Sequence, residues 1–508
     1  MKRNYQPLRL NQFVGVDLVT NPSVISPNAS IGLNNCENWP YFTISKCLGR
    51  EEFHDTTIGA TTIIESVHQL KLRDGTTKEL VTTNAGKIYY SSAADVWTLL
   101  DSGLTTTNYL HSTIDYVNEY IVTDYGQNAP QSWDGSAGTT SDVDASCPKG
   151  YTCANYFRRL WMLGTVLNPH IAYFSNQDTK VFTTATDFIN LDSPPGFRIN
   201  GGITQRDKLI VGKDASICEI YYTGTTPSFA VKVLTDTAGC AAPHSWQALP
   251  DGTVMFVGWN NVYRIVGSDV KAVGDAIQSY FEASLPGETL NKNRMYNISS
   301  GLNLQKQQYW ISVPASAEST NSVVLVYDYV NGYWFTRNWI VSALGQVRVN
   351  GEDRLYSGGY TGLAYREDYG NDNAGSDFSA YRDTAWTDCS FKGKKKCARV
   401  EILIEQTGNF DLSVDIFKDF SDASAVSSTV SVGSGAYSDS GIWDTGLWGT
   451  MTWSTDQVNQ TAVAVDCVTL GEFDWLKIRV GSASKDQFFR VYAYTIWWKG
   501  IGYRYVTS

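Results

Sequence analysis

From about residue 60 to about residue 373 the chain repeats one short grammar. A run of about four to eight apolar or alternating residues is followed by a turn of Gly, Asn, Asp or Ser, and then by a return run that ends on aromatics. A chain written this way does not form long helices, because its apolar residues come in short continuous or alternating runs broken by turn residues and not at a period of 3.6. Aligning the strand clusters gives units near 61–104, 107–143, 153–184, 197–239, 240–284, 293–338 and 343–373. Most are close to the roughly 40 to 45 residues of a four-stranded propeller blade, and seven of them fill the span.

Individual units show the pattern plainly. Glu79-Leu80-Val81-Thr82-Thr83 is a strand, Asn84-Ala85-Gly86 a turn, and Lys87-Ile88-Tyr89-Tyr90 the return. The same order recurs in Lys208–Gly212 with Ile217–Tyr222, in Val254–Gly258 with Val262–Ile265, and in Gln308–Val313 with Ser322–Asp328. Asn331-Gly332 then supplies the dipeptide most typical of a tight hairpin. Asp275–Ala283 is the exception, a short helical pattern with Ile277, Tyr280 and Phe281 on one face and Asp275 as the expected cap.

After about residue 374 longer strands such as Ala398–Ile404 and Trp475–Val480 alternate with Gly, Ser and Asp loops. The expected fold is therefore all-β: a β-propeller of about seven blades over 61–373 and a C-terminal β-sandwich over 374–508. Residues 1–60 carry no clear repeat and form either an arm or the strand that completes the last blade. The aromatic supply of 30 Tyr, 20 Phe and 16 Trp suits such sheets.

No window approaches the roughly 18 apolar residues of a membrane span, and Met1–Pro7 lacks the apolar run of a secretory signal. The expectation is a soluble product of the cytoplasm that makes it. Nine cysteines, an odd number spread over 508 residues, read as buried thiols and not as a disulfide framework. A net charge of −11 argues against a sequence-reading DNA binder, which needs a basic face, but leaves room for DNA as a passing cargo.

The five histidines never pair at metal spacing, no Cys pair is a CxxC, and no phosphate-binding glycine loop occurs in its required context. No cofactor or metal is expected. Asp115, Asp124, Asp134, Asp214, Glu219 and Asp251 are candidate pocket acids for a paired-acid glycosidase, weighed against a plainer role in capping turns. Asp368–Asp377 offers oxygen ligands for calcium but breaks EF-hand spacing, so a polar linker is the expectation. Ser438–Trp443 is one residue out of register for the Asp box of sialidases and is discounted. The one dense basic run, Lys392-Gly393-Lys394-Lys395-Lys396, reads as a solvated hairpin tip. Its sharper alternative is a contact made by Lys394, Lys395 and Lys396 with an acidic subunit or a nucleic-acid backbone.

Trp443, Trp448 and Trp453 stand five apart, a spacing that is neither helical nor extended, so each ring ends a small turn over one apolar floor or ligand platform. The string Gly441–Trp453 resembles Trp-rich stretches in C-terminal domains of phage tail proteins. Asn34-Asn35-Cys36-Glu37-Asn38-Trp39 followed by Lys46-Cys47-Leu48-Gly49-Arg50 resembles the opening of the same proteins, and Asn261–Gly267 leading into Val273–Ile277 has their blade hairpin followed by a short helix. Together these resemble the tail nozzle proteins of short-tailed bacteriophages, also called tail tubular protein B or tail accessory factor.

That resemblance implies a structural virion protein, not an enzyme, with no catalytic residues to carry over. It implies a ring of copies, a homohexamer, below the portal and its adaptor, which holds the viral DNA and conducts it through the lumen during ejection. Tail fibres or spikes, a plug or needle protein and transient contact with the host envelope are the further partners it implies. The virion tail, assembled in the host cytoplasm, is the implied location. The alternative from a different class is a carbohydrate-active or carbohydrate-binding propeller: a tail-associated glycosidase, or a receptor-binding module acting through Trp443, Trp448 and Trp453.

Overall fold

The computed structural model describes residues 5–54, 56–93, 96–106, 109–136, 138–192, 198–316, 318–405, 410–432, 460–485 and 487–502. They are almost entirely β, with only 3₁₀ segments such as Asp275–Tyr280 and Lys292–Asn297 for helix. The chain divides into two compact units. One comprises Glu51–Gly332 and Asn338–Glu367, the other Met1–Arg50, Tyr333–Arg337 and Asp368–Ser508.

The first unit is the propeller. Its blades begin with Ile64–Lys71, Ser112–Tyr116, Gly150–Tyr156, Ile199–Gln205, Gln247–Ala248, Ser299–Asn303 and Ala343–Val349. Each of these first strands touches the next, and the last touches the first, so seven close a ring. Blades 1 to 5 and blade 7 are separate four-stranded sheets. Blade 6 contributes Ser299–Asn303, Gln308–Val313 and Val323–Asp328, paired antiparallel in that order. In blade 7 the fourth strand comes from the other end of the sequence: Arg50–Glu52 lies beside Ala364–Glu367. Just past it, the Phe53 amide donates to the Ala364 carbonyl at 2.8 Å.

The middle strands are buried on both faces, and the period of two decides which neighbour each residue meets. In blade 4, Leu209 and Val211 join a core with Trp161 and Leu163 of blade 3. Ile210, between them, joins Val254 and Phe256 of blade 5. In blade 3, Leu160 and Met162 point instead toward Ile121 of blade 2. Tyr120 and Val122 of blade 2 pack with Leu80 of blade 1, whose Val81 meets Val347 and Tyr356 of blade 7. This is why these strands read as continuous apolar runs and not as strict alternation.

The short helical pattern is a 3₁₀ turn, not an α-helix, and Asp275 is not its cap. Gly274 holds that position, and the Asn261 side chain accepts the Gly274 amide at 2.8 Å. Ile277, Tyr280 and Phe281 are buried as the pattern required.

The second unit contains two sheets. One runs Cys36–Glu37, Ile44–Lys46, Arg490–Gly502, Lys394–Glu405, Gln460–Asp466, with Gln6–Leu10 beside Arg490–Gly502 and Glu472–Phe473 beside Lys394–Glu405. The other runs Tyr333–Arg337, Ser30–Asn34, Ala380–Thr384, Leu476–Ser482, Phe410–Lys418, Val426–Val432. The C-terminal domain is thus completed by residues 5–50, which are not a free arm. Arg382 is fully buried here, its guanidinium 4.2 Å from the Phe13 ring centroid and 5.5 Å from that of Tyr494. It donates to the Ser30 hydroxyl at 2.8 Å and the Asn28 carbonyl at 3.1 Å. Stacking on rings and bonding to neutral oxygens lets a guanidinium stay charged inside a core.

None of the nine cysteines is in a disulfide, and all but Cys147 are buried.

The seam between blades 7 and 1 is close-fitting. Ser342 donates to the Ile64 carbonyl at 2.6 Å, and a Cβ added at Gly345 would overlap the Val67 carbonyl oxygen. Gly345→Val is therefore expected to destabilise the propeller by about 1–3 kcal/mol or more. Gly138→Val, where nothing lies within 4 Å of the added Cβ, should be close to neutral. Denaturant unfolding of both variants checks this, and equal midpoints would show that the seam tolerates displacement.

Candidate functional site

The first strands leave a cavity of about 330 Å³ at the hub, lined by at least one residue from each of the seven blades. A carboxyl and two imidazoles converge on its wall: Glu65 from the first strand of blade 1, His111 just before that of blade 2, and His244 before that of blade 5. Glu65 and His111 are each 3% exposed, with Glu65 Oε2 at 3.2 Å from His111 Nε2.

Burial dominates their protonation. It pushes the Glu65 carboxyl up to about 9, with the charge of Asp124 adding in the same direction. Burial also takes His111 down to about 4. His244 falls to about 4 as well, through burial first and the neighbouring His111 second. At neutral pH the site is thus a protonated carboxyl facing an uncharged imidazole.

The rest of the wall mixes hydroxyls, those of Ser66, Ser112, Thr113, Thr152, Thr204, Ser299 and Ser300, with apolar side chains such as Val67, Leu110, Ile114 and Trp246. The hydroxyl of Thr152, Nδ1 of His111 and Nε2 of His244 are buried without a hydrogen-bond partner, while Glu65 Oε2 and His111 Nε2 face each other. A smaller pocket of about 200 Å³ shares Glu65 and Leu110 as a wall and adds Arg294, Asn297 and Tyr360.

None of the six acids singled out in the sequence lines the hub. Asp124 accepts the amides of Thr105, Gln127 and Asn128. Asp134 accepts that of Ser136, and Asp251 accepts Thr253 and pairs with Arg264. Asp214 accepts the Asn200 amide group, Glu219 pairs with Lys208 at 2.7 Å, and Asp115 lies 2.6 Å from His68 Nε2. These are turn-capping and cross-strand roles. In the 368–377 segment, Asp372 accepts the Gly375 amide and Asp368 pairs with Arg337. Among the described residues no three carboxylate, His or Cys side chains gather as metal ligands would.

The basic run is not a solvated hairpin tip. Lys394, Lys395 and Lys396 open the long strand Lys394–Glu405, so alternation turns Lys395 inward, where it is 1% exposed. Its ammonium donates to the Phe391 and Gly393 carbonyls at 2.8 and 2.9 Å. Lys394 pairs with Asp474 at 3.1 Å, and Lys396 with Glu472 at 3.8 Å. Lys396 also lines a groove with Arg399, Lys499, Tyr5 and Trp497. Trp443, Trp448 and Trp453 lie outside the described residues.

No protein-family model matches the sequence, and no curated protein matches it. Several solved structures align with it. The extracellular domain of a hybrid two-component system from B. thetaiotaomicron aligns over 63% of this chain and 39% of its own, at 12% identity and a TM-score of 0.39. A streptogramin B lyase aligns over 63% of this chain and 97% of its own, at 12% identity and a TM-score of 0.42. A fungal alcohol oxidase of the AA5 family, in complex with copper, aligns over 71% and 86%, at 9% identity and a TM-score of 0.41.

The hub acid makes a signed prediction. The folded state keeps the Glu65 proton while the unfolded chain has lost it, so stability falls as pH climbs from the ordinary 4.5 toward about 9. His111 acts at the other end, costing stability as pH falls from 6.5 toward about 4. Glu65→Gln removes only the alkaline loss. Its melting temperature should gain on the native protein between about pH 5 and about pH 8.5, and a constant difference across that range would place the carboxyl in solvent.

Proposed function

We propose that this chain is the nozzle subunit of a short-tailed bacteriophage tail. Copies form a ring, a homohexamer on the family's pattern, below the portal and adaptor. The ring retains the genome and conducts it at ejection.

The observation that carries this reading is the geometry of the hub. Seven first strands pack against one another around about 330 Å³ of space, so a DNA duplex has no path through one chain. A conduit built from this fold must lie between copies, and ring closure then requires a heterologous interface. The hairpin of Val262–Val266 with Asp269–Ala272 and the 3₁₀ turn Asp275–Tyr280 also stand in the order that the resemblance implies. The chain's net charge of −11 suits a wall along which DNA moves without sticking.

Blade 4 has surface suited to a neighbouring copy. Its outer strand, Phe229–Thr235, exposes Val231 and Val233, at 38% and 43%. Beside it Phe157 stacks on Tyr222 with ring centroids 3.9 Å apart, both exposed. An apolar outer strand with an open edge is a pairing site unless something covers it.

Glycoside hydrolysis fits the site less well, because it needs two carboxyl groups about 5–9.5 Å apart. Among the described residues that line the hub, Glu65 is the only carboxylate.

Mass measurement of the purified protein, alone and with a candidate adaptor, tests the proposal. The expected result is a closed multiple of the chain mass, reduced to single chains by Val231→Asp with Val233→Asp. A monomer that joins no ring under either condition overturns it.

A further inference from the structure

We propose that the groove over the strands Lys394–Glu405 and Arg490–Gly502 binds single-stranded nucleic acid, with phosphates on Lys396 and Lys499 and bases against Tyr5 and Trp497. The groove has a volume of about 670 Å³, and its wall carries three cations, Lys396, Arg399 and Lys499, against one carboxylate, Asp466. It is a local exception in a chain of net charge −11.

Strand register produces the cluster and makes it costly. The two strands run antiparallel with Lys396 directly opposite Lys499 and Arg399 opposite Trp497. Directly opposite residues have Cβ atoms about 4.5–5.5 Å apart, and like charges placed there are destabilising. Among the described residues Lys499 pairs with no carboxylate, its ammonium lying 5.2 Å from the Tyr5 ring centroid. Lys396 reaches only Glu472, at 3.8 Å, and both of those side chains are about half exposed. An exposed pair of that length contributes little. Two ammoniums side by side with one weak counter-charge form a seat for an anion.

The rings indicate which anion. Arg399 already bonds Glu401 at 2.6 Å and lies 5.5 Å from the Trp497 ring centroid, so it braces that ring and leaves the lysines to the phosphate. Cations and rings therefore interleave along the groove, the pattern of sites that track a single strand. Free phosphate would use the lysines and leave the rings idle. An acidic peptide brings carboxylates without a ring attached to each, whereas every nucleotide brings both a charge and a ring. The bases of a duplex are already paired and stacked, so only a single strand can offer them. The site lies within one unit of one chain and does not depend on the nozzle reading or on ring formation.

Titration of the full-length protein into a fluorescein-labelled oligothymidylate of about ten nucleotides, followed by anisotropy, tests the site. Binding is expected at low salt, with poly-L-glutamate, inorganic phosphate and duplex DNA each displacing the strand less well than unlabelled oligothymidylate does. Lys396→Gln and Lys499→Gln should each weaken binding by about three- to tenfold and flatten the slope of log affinity against log salt by about 0.7, the share of one phosphate contact. Tyr5→Ala should weaken binding by about tenfold and leave that slope unchanged, which a purely electrostatic patch would not show. Thermal melts check folding, and if either lysine variant fails to fold then the other decides together with Tyr5→Ala. No binding of the strand at low salt, binding unchanged by the substitutions, or displacement by poly-L-glutamate as effective as by the strand itself each overturns the proposal.

Discussion

The propeller depends on strands that are apolar on both faces. Ile210 serves one interface while Leu209 and Val211 serve another, and neither interface is complete without the adjoining blade. Fully burying one such side chain stabilises by about 1.5–3 kcal/mol, so a blade standing alone would expose apolar surface on two sides. A linear row of blades would still expose one face at each end. Closing the row removes both, and the contact between Ala343–Val349 and Ile64–Lys71 is where that happens.

Closure explains the use of the N-terminal segment. The last blade obtains only three strands from its own stretch of sequence and takes Arg50–Glu52 as the fourth. The pairing joins residues more than three hundred positions apart, and such contacts order a large loop before they stabilise anything. Once made, the strand ties the beginning of the propeller to its end. Gly345 belongs to the same logic, since its missing side chain lets the last first-strand approach the backbone of Val67.

Much of the propeller was legible because two-faced strands leave long apolar runs between turn residues. The hairpins at Lys208–Gly212 and Val254–Gly258 were readable on that basis alone. Residues 1–50 were not, because Cys36–Glu37 and Ile44–Lys46 are strands of two and three residues, too short to show a period. The lysine run misled for a related reason: charge density suggested solvent, whereas the strand beginning at Lys394 alternates and carries Lys395 inside. The hub site was hidden differently. Glu65, His111 and His244 are ordinary residues far apart in sequence, and only the ring brings them together. A polar residue at the start of a first strand, as in Ile64-Glu65-Ser66-Val67, was the one available signal.

The contrast between blades and hub has a physical origin. Middle strands face another sheet on each side, so apolar residues satisfy both faces. First strands face the axis, where seven backbones meet and no opposing sheet exists to cover an apolar surface. Hydroxyls, imidazoles and one carboxyl share that wall with apolar side chains such as Val67, Leu110 and Trp246, and close-packed blades surround it. Low polarity outside and polar groups inside are what hold Glu65 protonated. The apolar runs that make the fold therefore also set the chemistry of its centre. A substitution that loosened packing between blades would be felt first at the Glu65 proton, before any strand came apart.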